Sequence, residues 1–232
     1  MNFYPFLLQA LPEVQLDSLE VAQEPQNIVS IIFSSGPLGI IISVALFLLS
    51  IYAMYIFIER YMSITKAGKI DQSFMANIRK SVQNGNIESA KALCSNTDTP
   101  VARMIEKGLA RIGKPMNDIN AAIDNIGNIE LIKLEKNLST LATISGAAPM
   151  IGFFGTVTGM ISAFREMSLS ENITPDVLAG GIYQALLTTA FGLFVGIISF
   201  VGYNYLVAAV EKVIFQMEAR SSEFMDLLQE PA

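Results

Sequence analysis

Long unbroken apolar blocks, rather than an alternation of apolar and polar positions, organise this chain. Residues 25–58 (densest at 38–58), 137–164 and 177–210 carry no charged side chain. A helix rising 1.5 Å per residue needs about 20 apolar residues to cross a hydrocarbon core of about 30 Å, so each block suffices alone. Between the first two blocks, apolar residues recur at spacings of three and four without strand alternation, which predicts helical hairpins. Asn84-Gly85-Asn86 marks a turn, with Asn86 an N-cap for a helix over 87–94. Thr99 caps the next helix with Pro100 at its first position, places Val101, Met104, Ile105 and Leu109 on one side, and ends at Gly113-Lys114-Pro115.

From Asn117 nothing in the pattern interrupts a helix until Pro149, which predicts one continuous helix of about 70 Å running through the second block. Ile119, Ala122, Ile126 and Ile129 give its lower part an amphipathic face. Its expected partner is the helix leaving the third block over 210–228, with Val213, Ile214, Met217, Phe224 and Leu228 in contact. Thr174, Pro175 and Asp176 have the chemistry of an N-cap, a first helical residue and an acidic first turn. At the other end of the chain, residues 3–11 are apolar and no Lys or Arg precedes them, which predicts an interfacial helix rather than a signal peptide.

Charge sets the expected orientation. Residues 1–58 contain no Lys or Arg, whereas twelve of the fifteen fall within 59–136. Cations near span ends are retained on the cytoplasmic side, so the N-terminus is expected in the periplasm and the large loop and C-terminus in the cytoplasm. The expected fold class is an all-α integral membrane protein with three transmembrane helices, the second and third extended far into the cytoplasm, and a helical cytoplasmic loop. The expected divisions are a periplasmic tail (1–35), first span (36–58), cytoplasmic helical region (59–136), second span (137–164), short periplasmic link (165–176), third span (177–207) and cytoplasmic C-terminal helix (208–232).

Composition narrows the function. With 52% hydrophobic and 16% charged residues, this is a membrane profile, and a net charge of −6 without a basic face argues against nucleic acid. The chain has no histidine, which excludes histidine-based metal sites and proton relays. Cys94 is alone and reads as a small buried helix residue. No phosphate-cradling glycine loop is present, so no enzyme, cofactor or metal is expected.

The three spans differ in kind. Residues 38–58 are bulky and read as a lipid-facing brace, whereas the second and third spans carry small residues: Gly152, Gly155 and Gly159 in one, Gly192 and Gly196 in the other. Such spacing lets helices approach closely in a membrane, and Pro149 is expected to kink or loosen its helix. Polar but non-titratable residues stand among them: Thr156 and Thr158, then Gln184, Thr188 and Thr189. No Asp, Glu, Lys, Arg or His lies within the spans. A bare proton faces a large desolvation cost in hydrocarbon, so any proton route through this chain needs a titratable carrier from another polypeptide.

The run from Ala148 to Ile161, APMIGFFGTVTGMI, followed by Ala163-Phe164, resembles the signature of the MotA/TolQ/ExbB proton-channel family, and 181–193, GIYQALLTTAFGL, is similar to its second half. Three spans with an external N-terminus resemble the ExbB and TolQ branch. The resemblance implies a homopentamer in the inner membrane of a Gram-negative bacterium, whose second and third spans surround a pore. A dimeric ExbD/TolR-like partner would supply a membrane aspartate, and a TonB- or TolA-like protein would carry the work onward to outer-membrane transport or envelope maintenance. Thr156 and Thr189 align with the family's pore-lining threonines, with Thr188 and Gln184 beside them; Pro149, Gly152, Gly155, Gly159, Gly192 and Gly196 serve packing. One departure stands out: many relatives have Glu where this chain has Gln184, which does not titrate.

Overall fold

The computed structural model describes residues 36–69, 71–169 and 175–229. All regular structure among them is helical: α1 (Gly36–Ala67), α2 (Gln72–Gln83), α3 (Ile87–Ser95), α4 (Pro100–Leu109), α5 (Met116–Glu135), α6 (Leu138–Leu169) and α7 (Pro175–Gln229). Three stretches are long and apolar enough to cross a membrane, in α1, in α5–α6 and in α7. The interfacial helix expected over 3–11 and the cap expected at Thr174 lie outside the described residues.

Short-range chemistry sets the small helices as expected. Asn86 accepts from the Ser89 N–H at 3.0 Å to start α3, and Thr99 accepts from the Ala102 N–H at 3.3 Å to start α4, with Pro100 first. Val101, Met104, Ile105 and Leu109 are all buried. Helix α4 ends at Leu109, ahead of the Gly113-Lys114-Pro115 stop, because the chain tightens into turns after Ala110 and reverses at Gly113, whose φ is +92°.

The continuous helix expected from Asn117 onward is broken. Helix α5 stops at Glu135, Lys136 is extended (φ −51°, ψ 134°), and Asn137 takes a left-handed φ of 63° before α6 begins. Asparagine tolerates that region better than most side chains. The break leaves the last α5 carbonyls without intrahelical donors, and Arg60 of α1 donates from Nη1 to the Lys133 carbonyl at 3.0 Å. A break capped from another helix has no sequence signature, since the donor lies 73 residues away.

By contrast α7 runs unbroken for 55 residues, about 80 Å. Its lower half packs on α4 and α5: the Phe224 ring is fully buried, and Gly108 brings α4 so close that a methyl there would meet Phe224 and Ile123 within 3 Å. Val213, Met217 and Leu227 are buried along the same face. Helix α1 crosses both long helices, with Ile42 beside Gly155 and Phe57 beside Gly202. Its other face leaves Leu38, Ile41, Phe47, Leu48, Ile51 and Tyr55 largely exposed, as a lipid-facing surface requires.

Candidate functional site: the seam between α6 and α7

Helices α6 and α7 run antiparallel along a seam of small residues. A methyl added to Gly181 would lie 2.4 Å from the Ala163 Cβ, one on Gly159 3.0 Å from the Ala185 Cβ, and one on Gly155 2.5 Å from Thr188 Cγ2. At the crossing of Gly152 and Gly192 the near atoms are backbone: a methyl on Gly192 would stand 2.7 Å from the Ala148 carbonyl oxygen and 2.8 Å from Gly152 Cα. Backbone meets backbone there, which is the reason for glycine on both sides.

Pro149 lies inside α6, and the helix continues through it. Without an N–H, it leaves the Ser145 carbonyl lacking its usual donor. Gly196 faces both: a methyl there would lie 2.5 Å from Pro149 Cγ and 3.1 Å from the Ser145 oxygen. The glycine of α7 is the space that the proline ring of α6 occupies.

The seam hydroxyls fall into two kinds. Thr156 donates to the Phe153 carbonyl at 2.6 Å, Thr158 to Phe154 and Gly155 at 3.1 Å each, and Thr188 to Gln184 at 3.0 Å, all within their own helices. Thr189 instead donates across the seam to the Gly152 carbonyl, at 2.9 Å. The crossing therefore gathers Thr189, Gly152 and Gly192, with Thr188 at Gly155 and Gly196 at Pro149, while Thr156 stands one turn beyond Gly152 on α6. Every bonded threonine hydroxyl spends its proton on a backbone carbonyl, so each offers the seam's surroundings acceptor lone pairs only.

At the lower end of the spans the chemistry changes abruptly to ions, which sequence reading did not place. Glu130 of α5, with its side chain only 4% exposed, accepts from Arg103 Nη2 at 2.6 Å and from Lys133 Nζ at 2.7 Å. Arg103 also reaches Asp98 at 2.7 Å, and Asp98 accepts from Lys66 of α1 at 2.7 Å. Burial opposes ionisation of Glu130, yet the hydrogen bonds from Arg103 and Lys133 hold its carboxyl below the ordinary range. Asp98 is held low by its bonds to Lys66 and Arg103. Only the Glu130/Lys133 spacing was visible in sequence; the other three members, Arg103, Asp98 and Lys66, come from outside α5. Among the described residues no group of acidic, cysteine or histidine side chains is arranged to hold a metal ion.

Residues 96–219, more than half the chain, match the sequence profile of the MotA/TolQ/ExbB proton channel family. Over 181 residues the chain is 28% identical to a putative biopolymer transport protein ExbB homolog of Methanothermobacter thermautotrophicus, covering 78% of this chain and 64% of that protein. It is 38% identical over 96 residues to the Tol-Pal system protein TolQ of Pseudomonas aeruginosa, covering 41% of this chain and 42% of that one. It is also 27% identical over 192 residues to the biopolymer transport protein ExbB of Neisseria meningitidis, covering 76% and 86%. The matched regions span less than two thirds of the first two relatives' lengths.

Proposed function

The chain belongs to the MotA/TolQ/ExbB proton channel family, a multi-pass membrane protein, and from that premise we propose that it is the channel-forming stator subunit of an inner-membrane motor driven by the proton-motive force. The observation that carries the proposal is a seam that is polar yet holds no titratable group. A proton-channel subunit without a mid-membrane carboxylate requires one from a partner, because crossing hydrocarbon as a bare charge is prohibitive. In this reading an ExbD/TolR-like dimer inserts an aspartate into a pore surrounded by a pentamer of this chain. Thr189 and Thr156 meet that aspartate, and Thr188 and Gln184 stand beside them. Seam hydroxyls whose protons are committed to carbonyls favour a neutral, protonated acid as their guest, which is the state a carboxyl must adopt to cross. Each proton delivers about 2.3 kcal/mol per 100 mV, so a working stroke draws on several.

The cation distribution supports a periplasmic N-terminus and a cytoplasmic C-terminus. ExbB-type energising of outer-membrane transport, with a TonB-like protein, is the role proposed, and the longer matches to proteins named ExbB favour it. The higher identity to a TolQ over its shorter match supports the alternative of envelope maintenance with a TolA-like protein.

Thr189→Val tests the reading, since it keeps the shape and removes only the hydroxyl. One interhelical hydrogen bond in a membrane is worth roughly 0.6 kcal/mol, so the assembly should survive. Partner-dependent proton flux in vesicles, or energy-dependent uptake in cells, should fall to background at normal abundance. Undiminished flux with an intact oligomer would sink the proposed role of Thr189.

A further inference from the structure

A second site lies away from the seam, where the spans give way to the charged region. A groove of about 520 Å³ opens between α1 and α7, and its floor is apolar: Ile64, Gly68, Leu206, Ala209 and Val213. Its rim toward the spans is aromatic, with Tyr61 and Tyr205 ring centres 6.1 Å apart and Phe57 within 6.5 Å of each. Its other rim carries Lys69, two residues past the end of α1, and Lys212 from α7, together with Thr65 and Gln216, and no acidic side chain lines it among the described residues. Lys66, one turn back on α1, is turned elsewhere and bonded to Asp98.

We propose that this groove binds the headgroup of an anionic, hydroxyl-bearing phospholipid, of the phosphatidylglycerol kind, from the leaflet at the cation-rich end of the spans. Three observations converge on a lipid rather than a soluble anion. Tyrosines gather at the level where a hydrocarbon core meets its headgroups, and these two stand between the apolar span surface and the lysines. Ile58 and Val201, one turn before Tyr61 and Tyr205 on their helices, are exposed apolar side chains against which acyl chains would lie. Two lysines without an opposing carboxylate complement one phosphodiester, each contributing near a membrane surface.

Gln216 narrows the headgroup further. Its Oε1 is buried beside Gly68, 3.9 Å from where a Cβ would sit, and has no hydrogen-bond partner among the described residues. A buried acceptor left unpaired is costly, so the ligand it favours brings a donor. The glycerol hydroxyls of a phosphatidylglycerol headgroup supply one next to the phosphate. A choline headgroup has neither a net negative charge nor a donor.

The test uses the full chain in mild detergent, titrated with phosphatidylglycerol or phosphatidylcholine and read by native mass spectrometry. Wild type should retain phosphatidylglycerol preferentially. Lys69→Gln with Lys212→Gln should reduce that retention by about thirtyfold, the sum of two near-surface cation contributions. Lys107→Gln with Lys114→Gln, the same charge change on exposed residues elsewhere, should leave it unchanged. Gln216→Leu should lower retention of phosphatidylglycerol more than that of phosphatidic acid, which lacks the glycerol hydroxyls. Equal loss in both lysine pairs would reduce the effect to net charge and overturn the site. Displacement by millimolar inorganic phosphate would assign the groove to a soluble anion and overturn the lipid. Protection of a Thr65→Cys thiol from labelling only when chains associate, with no lipid retained, would assign the groove to a neighbouring copy. The proposal depends on the motor reading only for the leaflet, so flux through the seam and lipid retention fail or succeed separately.

Discussion

Gly192→Ala is the sharpest perturbation of the seam, because nothing around the added methyl is free to move. It would meet the Ala148 carbonyl oxygen at 2.7 Å, Gly152 Cα at 2.8 Å and Gly152 N at 3.1 Å, all backbone. Restoring ordinary contact requires the helices to part by roughly 0.7 Å, the difference between those approaches and an ordinary van der Waals separation of about 3.5 Å. Overpacking of this sort costs about 1–3 kcal/mol. The same displacement stretches the 2.9 Å bond from Thr189 to Gly152 beyond hydrogen-bond range, removing about 0.6 kcal/mol more. Against this stands a gain of at most about 1 kcal/mol from replacing glycine in a helix. The net expectation is a loss of roughly 1–3 kcal/mol. Gly146→Ala is the control, since nothing lies within 4 Å of its methyl. Reversible unfolding in detergent, followed by far-ultraviolet circular dichroism, should show the Gly192 variant destabilised and the Gly146 variant equal to or slightly above wild type. Equal stability of the two variants would refute the claim that backbone contact holds the seam.

The other expectations are simpler. Asn137→Gly should match or exceed wild-type stability and Asn137→Ala should cost about 1 kcal/mol in the same unfolding assay, because φ is 63° there. Asp98 and Glu130 have native pKa values held below their unfolded ones, so the stability they confer is present above the ordinary carboxylate range near pH 4 and lost as pH falls through the native values. Acid titration of unfolding should therefore show a shallower decline in Glu130→Gln than in wild type. Cys94 is buried, and burial, aided by Glu106, pushes its thiol up to about 12. At pH 8 only about one thiol in ten thousand is then ionised, so maleimide labelling should run about a thousandfold faster in denaturant than in the native protein.

What could be read from sequence follows from the range over which each feature is determined. The apolar blocks and the caps at Asn86 and Thr99 depend on residues within a few positions of one another, and the structure has them where the pattern puts them. The break at Lys136–Asn137 is not legible in the sequence, because asparagine in a helical pattern carries no signal by itself and its stabilising donor, Arg60, arrives from α1. The glycines were legible as a packing surface, but their pairing was not. That Gly196 makes room for Pro149 while Gly192 meets Gly152 depends on the antiparallel register of two helices. Threonines were legible as polar residues in an apolar setting; that Thr189 alone among the bonded seam threonines reaches the opposite helix depends on that same register.

The two routes from the seam to the lower helices are mechanically unequal. Through α6, motion must pass the left-handed joint at Asn137 before it reaches α5, and Arg60 ties that joint to α1 rather than to α7. Along α7 no joint intervenes: Thr189 and Phe224 belong to one hydrogen-bonded helix about 50 Å apart along its axis. Phe224 is packed without exposure against Gly108 of α4 and lies in one core with Ile123 of α5. A rotation or shift of α7 imposed at the seam would therefore reach the α4–α5 core with little lost in bending, while α6 is decoupled from α5 by its joint. The ion network of Lys66, Asp98, Arg103, Glu130 and Lys133 links α1, α4 and α5 to one another and includes no residue of α7. What α7 meets below the spans is thus a single braced body, held to it chiefly by apolar contacts around Val213, Met217, Phe224 and Leu227. Apolar contacts of that kind are non-directional and permit small sliding that an ion pair to α7 would resist.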